Sequence, residues 1–77
     1  QAKSAEQEFM TKHTIENWFR ALDYLSIPKR NVVLLRDYYH FSYQEIADIF
    51  GISLANVKVT LFRGRREIEK LMADNNV

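Results

Sequence analysis

Apolar residues recur at spacings of three and four along most of this chain, with no period-2 alternation. That spacing is helical. No Asn-Gly or Asp-Gly pair marks a hairpin either. The sequence therefore predicts an all-α fold, a compact domain of four helices. Helix one is expected over 5–24, with Phe9, Ile15, Trp18, Phe19, Leu22 and Leu25 as its apolar stripe. Residues 1–4 read as the end of a linker. Helix two begins at Pro28, where the missing amide proton would be unpaired anyway. It should end near His40 and bury Val32, Val33, Leu35 and Tyr39.

The next segment, FSYQEIADIFGISLANVKVTLFRGRR over 41–66, is more specific. Ser42 followed by Glu45 is a capping box for helix three. Ile46, Ala47, Ile49 and Phe50 are its expected packed face. Gly51 supplies the left-handed conformation that ends it. Ser53 can cap helix four, expected from Leu54 to Met72 or Ala73, with a frayed tail over 74–77.

Two capped helices joined by a glycine turn form the layout of a helix-turn-helix. Ala47 is the small residue where the helices cross. Val57 points back from the second helix, and Ile52 plugs the turn. At about 100° per residue, Leu54, Val57, Leu61, Gly64, Ile68 and Leu71 share the inward side of helix four. Glycine on that stripe costs about 1 kcal/mol of helix propensity, and close approach of a neighbouring helix is the compensation weighed against simple tolerance. The opposite side carries Ala55, Val59, Phe62, Arg63, Arg66 and Lys70, with Lys58 on its flank. Val59 and Phe62 are out of place facing water but suit a major groove, where apolar side chains meet thymine methyls. Lys58 and Arg63 can take phosphates or guanine edges. Tyr43 and Gln44, with the first amides of helix three, can grip a phosphate.

The formal net charge of +1 looks small for a DNA binder, but its distribution matters more. Acids slightly outnumber bases before Pro28, and the two balance as far as Ile52. From Ser53 onward Lys58, Arg63, Arg65, Arg66 and Lys70 face only Glu67, Glu69 and Asp74. Charge alone would fit a solvated helical face; the motif shifts the balance towards phosphate binding.

Other classes are disfavoured. With no cysteine there is neither a disulfide nor a thiolate zinc site, and His13 and His40 lack ligand spacing. No metal, cofactor or catalytic set is expected: there is no paired-carboxylate cleft, Ser/His/Asp set or phosphate loop. No apolar run approaches the roughly 20 residues of a membrane span, and no signal peptide is visible.

IPKRNVVLLRDYYHFSYQEIADIFGISLANVKVTLFRGRREIEKL resembles region 4 of sigma-70-type transcription initiation factors, most closely the extracytoplasmic-function (group IV) subfamily. The resemblance rests on Ile27-Pro28, Arg30, Val32 to Leu35, Tyr38-Tyr39, Phe41-Ser42, Glu45-Ile46-Ala47, Gly51-Ile52-Ser53, Val57-Lys58, Arg63 and Arg65. It implies a cytoplasmic promoter-recognition module without membrane insertion. The module would bind double-stranded promoter DNA at the minus-35 element through helix four. It would dock on the β flap of the RNA polymerase core, with an anti-sigma factor as a further partner. The family's base and phosphate contacts carry over to Lys58, Val59, Phe62 and Arg63, with Ala55 close to the bases. Together with the reading of the helix faces, the expected DNA-contacting set is Tyr43, Gln44, Ala55, Lys58, Val59, Thr60, Phe62, Arg63 and Arg66. Many members have serine then arginine after the VK pair, where this chain has Val59 and Thr60, and many have alanine at Gly64. Region 2 of the family is not among these residues, so this chain alone is not expected to initiate transcription. The alternatives are a LuxR-type helix-turn-helix output domain, which shares the GIS…VK core, and a protein-interaction domain whose basic residues pair with a partner's carboxylates.

Overall fold

The computed structural model describes the backbone of residues 5–74 and the side chains of residues 14–74. The linker expected over 1–4, the side chain of Phe9 and the tail over 75–77 lie outside the described residues. Four α-helices follow in order: α1 (Ala5–Leu22), α2 (Ile27–Val33), α3 (Tyr43–Phe50) and α4 (Leu54–Ala73). No strand occurs among the described residues. The fold is all-α, as the periodicity requires.

Helix α4 is the element on which the others pack, touching each of α1, α2 and α3. The core comprises Ala21, Leu22, Leu25, Val32, Val33, Ile46, Ala47, Val57, Leu61 and Ile68, all buried. Val57, Leu61, Gly64 and Ile68 lie on one stripe of α4, as the 3.6-residue period dictates. Leu54 belongs to the same stripe but sits in the first turn, past the edge of the core, and stays exposed. Gly64 packs against α2: a Cβ built there would lie 2.6 Å from Val33 Cγ2. Close helix approach, not mere tolerance, accounts for this glycine.

Two side-chain ties fasten α4 to α2 and to the segment that follows it. Lys29 of α2 pairs with Glu67 of α4. Arg65 forms a two-pronged bond with Asp37, its Nε donating to Oδ2 at 3.0 Å and its Nη2 to Oδ1. Those bonds hold the Arg65 guanidinium above its already high ordinary pKa, against the opposing effect of burial.

Helix two differs most from expectation. After Val33 the chain continues as a π-helical stretch, Leu34–Tyr38. Tyr39 N donates to Leu34 O at 3.2 Å, and Phe41 N donates to Leu35 O at 2.9 Å. A residue in a π turn advances less around the axis than one in an α turn. A face assigned by α-helical spacing therefore drifts, and Tyr39 is 56% exposed instead of buried. No glycine or proline marks the π stretch.

Smaller corrections have simpler causes. The α-helix of element one stops at Leu22, and the chain goes on in three-residue turns to Leu25. Ala21 is fully buried while Ile15 and Phe19 are exposed, because the buried stripe runs through Trp18, Ala21 and Leu22. Ile49 is 54% exposed and Phe50 is also exposed, because two-turn α3 buries only a narrow strip centred on Ile46 and Ala47.

His40 has φ of +63°. Left-handed backbone costs a residue with a Cβ roughly 1–2 kcal/mol. His40→Gly removes that strain but frees the unfolded chain, leaving a net gain of roughly 0.5–1 kcal/mol. A higher denaturant midpoint with unchanged m-value is expected. A lower midpoint means that the exposed imidazole makes a stabilising contact.

Candidate nucleic-acid interface

The helix-turn-helix is built from local signals. Ser42 Oγ accepts from Glu45 N at 3.0 Å, and Glu45 Oε1 accepts from Ser42 N at 2.8 Å, closing the capping box. Gly51 takes φ +67° and ψ 36°, and Ile52 N donates to Ala47 O at 3.1 Å. A Cβ at Gly51 would meet nothing within 4 Å, so the backbone conformation and not space demands glycine. Ser53 Oγ then accepts from Asn56 N at 3.0 Å and starts α4. Buried Ala47 and Val57 join the two helices through the core.

With Val57, Leu61, Gly64 and Ile68 turned inward, the far side of α4 faces out. It bears Ala55, Val59, Phe62, Arg63 and Arg66, all exposed, with Lys58 beside them. Val59 is 44% exposed and Phe62 61%. The Arg66 guanidinium carbon lies 5.8 Å from the Phe62 ring centroid. Lys58, Arg63, Arg66 and Lys70 make no ion pair among the described residues, whereas Arg65 is tied to Asp37. Four cations are thus left to the outside, an arrangement suited to phosphates and the acceptor edges of bases.

Tyr43 sits half-buried at the start of α3, on the Lys58 flank. The Lys58 Nζ is 5.8 Å from its ring centroid and the Arg36 guanidinium carbon 4.6 Å. Arg36 also donates to Phe41 O at 2.9 Å. Arg36 was missed by motif reasoning because it lies in the π stretch, outside the helix-turn-helix that begins with Tyr43. Gln44 is exposed and its amide donates to Asp48 Oδ1 at 3.0 Å.

Thr60 stands apart from the other expected contacts. It is half-buried, its hydroxyl donates to Asn56 Oδ1 at 3.0 Å, and it lines a groove beside the outward face. Its position around the axis, on the α2 flank, turns it from the side that carries Val59 and Phe62. That groove, about 330 Å³, is apolar and framed by Ile27, Pro28, Val32, Phe50 and Ile52.

The family model for sigma-70, region 4, matches residues 15–68. The chain belongs to the sigma-70 region 4 family. The LuxR-type alternative gives way to that match. Over 43 residues the chain is 46% identical to the RNA polymerase sigma factor YlaC of Bacillus subtilis (strain 168), a stretch covering 56% of this chain and 25% of that protein. The chain spans about a quarter of that relative's length. As a sigma-70 region 4 domain it is a DNA-binding part of a transcription factor. None of its described helices is long and apolar enough to cross a membrane.

Proposed function

We propose that this chain is the promoter-recognition module of a bacterial sigma factor, laying α4 in the major groove of the minus-35 element. One observation carries the reading most: an outward face of cations that make no ion pair among the described residues, around exposed Val59 and Phe62, beyond the turn at Gly51. Lys58 and Arg63 contact phosphates or guanine edges, and Arg66 serves the backbone. Ala55 comes close to the bases. Tyr43, Gln44 and the first amides of α3 clamp one phosphate, with Arg36 reinforcing the cluster. Thr60 is left out of the contact set.

Titration onto promoter duplex at several salt concentrations tests this. Affinity should fall steeply as salt rises, because neutralising phosphates releases counterions. Arg63→Ala should weaken binding to all sequences and reduce the salt slope by about one. An unchanged slope and affinity rejects Arg63 as a phosphate contact. Salt-insensitive binding by the parent chain rejects the whole reading and favours a protein-interaction domain.

The module works in the cytoplasm and docks on the RNA polymerase core through the β flap. The apolar groove of Ile27, Pro28, Phe50 and Ile52 supports that role, since it opens beside the DNA-facing side and can accept an apolar helix. Phe50→Glu should abolish capture by core polymerase while leaving DNA affinity within about twofold, as expected for a site away from the phosphates. Equal loss of both would place Phe50 in the DNA contact. An anti-sigma factor that covers either surface would silence the module.

A further inference from the structure

A second apolar patch lies exposed on α1 and the π stretch, and it shares no residue with the outward face of α4. Ile15 and Phe19 of α1, Tyr38 of the π stretch and Tyr39 at its end are all exposed. Half-buried Trp18 joins the patch to the core. The rings interlock. The Phe19 centroid lies 5.1 Å from that of Trp18 and 5.0 Å from that of Tyr38, and Tyr38 lies 5.0 Å from Tyr39. Beside them opens a hollow of about 370 Å³, lined by Thr14, Ile15, Trp18, Asp37 and Tyr38. Contiguous exposed aromatics mark interaction sites.

The edge of this patch is acidic. Glu16 stands three residues before Phe19 and neighbours it on α1. Asp23 lies in the turn that follows α1. Both are exposed, and neither makes an ion pair among the described residues. The nearby cation Arg20 donates to Asn17 Oδ1 at 2.7 Å. A complementary surface exists on the same molecule. Val59 and Phe62 are apolar and exposed, and Lys58, Arg63 and Arg66 around them make no ion pair among the described residues. An aromatic patch edged by carboxylates matches an apolar pair edged by cations.

We infer that the patch on α1 and the π stretch docks the outward face of α4 of a second copy of this chain. Phe62 of one copy enters the hollow beside Trp18 and Tyr38 of the other, and Lys58 and Arg63 face Glu16 and Asp23. The two surfaces differ, so the contact is heterologous. Self-association then covers the side that would meet DNA. That consequence rests on the reading above, while the contact itself needs no DNA.

Sedimentation of the full chain without DNA tests the inference. The mass should rise above that of one chain as protein concentration increases, and fall back as salt screens the edge pairs. Phe19→Ser and Phe62→Ser should each stay monomeric at every concentration, with melting temperatures close to the parent's. Mixed in equal amounts, the two variants should associate again, because each keeps the surface the other lacks. Glu16→Lys with Asp23→Lys should also abolish association, and a chain carrying Lys58→Glu and Arg63→Glu should restore it on mixing. This charge exchange leaves apolar packing untouched, so it decides the matter even where Phe19→Ser fails to fold. A parent chain that stays monomeric throughout overturns the inference and leaves the patch to another protein. Association that survives Phe62→Ser also overturns it, since patch would then meet patch. Neither readout involves DNA, so the proposed function stands or falls separately.

Discussion

Gly64→Ala is expected to lower the melting temperature, although alanine is the better helix former. The gain in propensity is about 1 kcal/mol. Against it stands the new methyl, which would lie 2.6 Å from Val33 Cγ2. Val33 is fully buried and β-branched, so its rotamer cannot swing away. Helix α2 would have to back off from α4, and the Lys29–Glu67 and Asp37–Arg65 ties resist that movement. Overpacking of a tight core costs roughly 1–3 kcal/mol, and strain at a helix–helix contact falls towards the upper end. The net loss of about 1–2 kcal/mol corresponds to roughly 5–15 °C for a domain of this size. Val33→Ala in the Gly64→Ala background should recover part of the loss by removing the clashing methyl. A single variant that melts at or above the parent would show that the helices slide apart freely.

Ala47→Leu should act more severely and should also reach DNA binding. Ala47 is 3% exposed where α3 meets α4, beside fully buried Ile46 and Val57. A leucine cannot enter without prising the helices apart, at a cost of roughly 1–3 kcal/mol or more. The angle between α3 and α4 sets where Tyr43 and Gln44 stand relative to Lys58, Phe62 and Arg63. Affinity for promoter duplex should therefore fall even well below the melting temperature, where the variant remains folded. Circular dichroism melts and duplex titration check the two effects separately. Wild-type melting would refute the crossing at Ala47, and wild-type affinity in a destabilised variant would refute the coupling.

The elements that speak through local chemistry were legible in the sequence. Ser42, Glu45, Gly51 and Ser53 each act on backbone groups within a few residues, so their meaning survives without a tertiary context. The two sides of α4 followed from one period over a long helix, which averages out local exceptions. The same logic failed where the period changes: the π stretch turned Tyr39 outward, and its cause is not written in glycine or proline. Ala21 escaped notice because alanine carries little hydrophobic signal, although it lies fully buried in the core. Arg36 meets Tyr43 across the bend between the π stretch and α3, and the Asp37–Arg65 tie joins residues 28 apart, so spacing within one helix encodes neither. Thr60 stood in the expected contact set, while its angle around the axis puts it on the groove side.

Helix α4 is a single rod with two faces: Val57, Leu61, Gly64 and Ile68 hold the domain together, while Ala55, Val59, Phe62 and Arg63 stay exposed outside its core. Exchange of the latter group is close to silent for folding, whereas any drift in the former is punished at once. On the proposed reading of that face, descendants of this chain can acquire new DNA targets by small steps without first passing through an unstable ancestor.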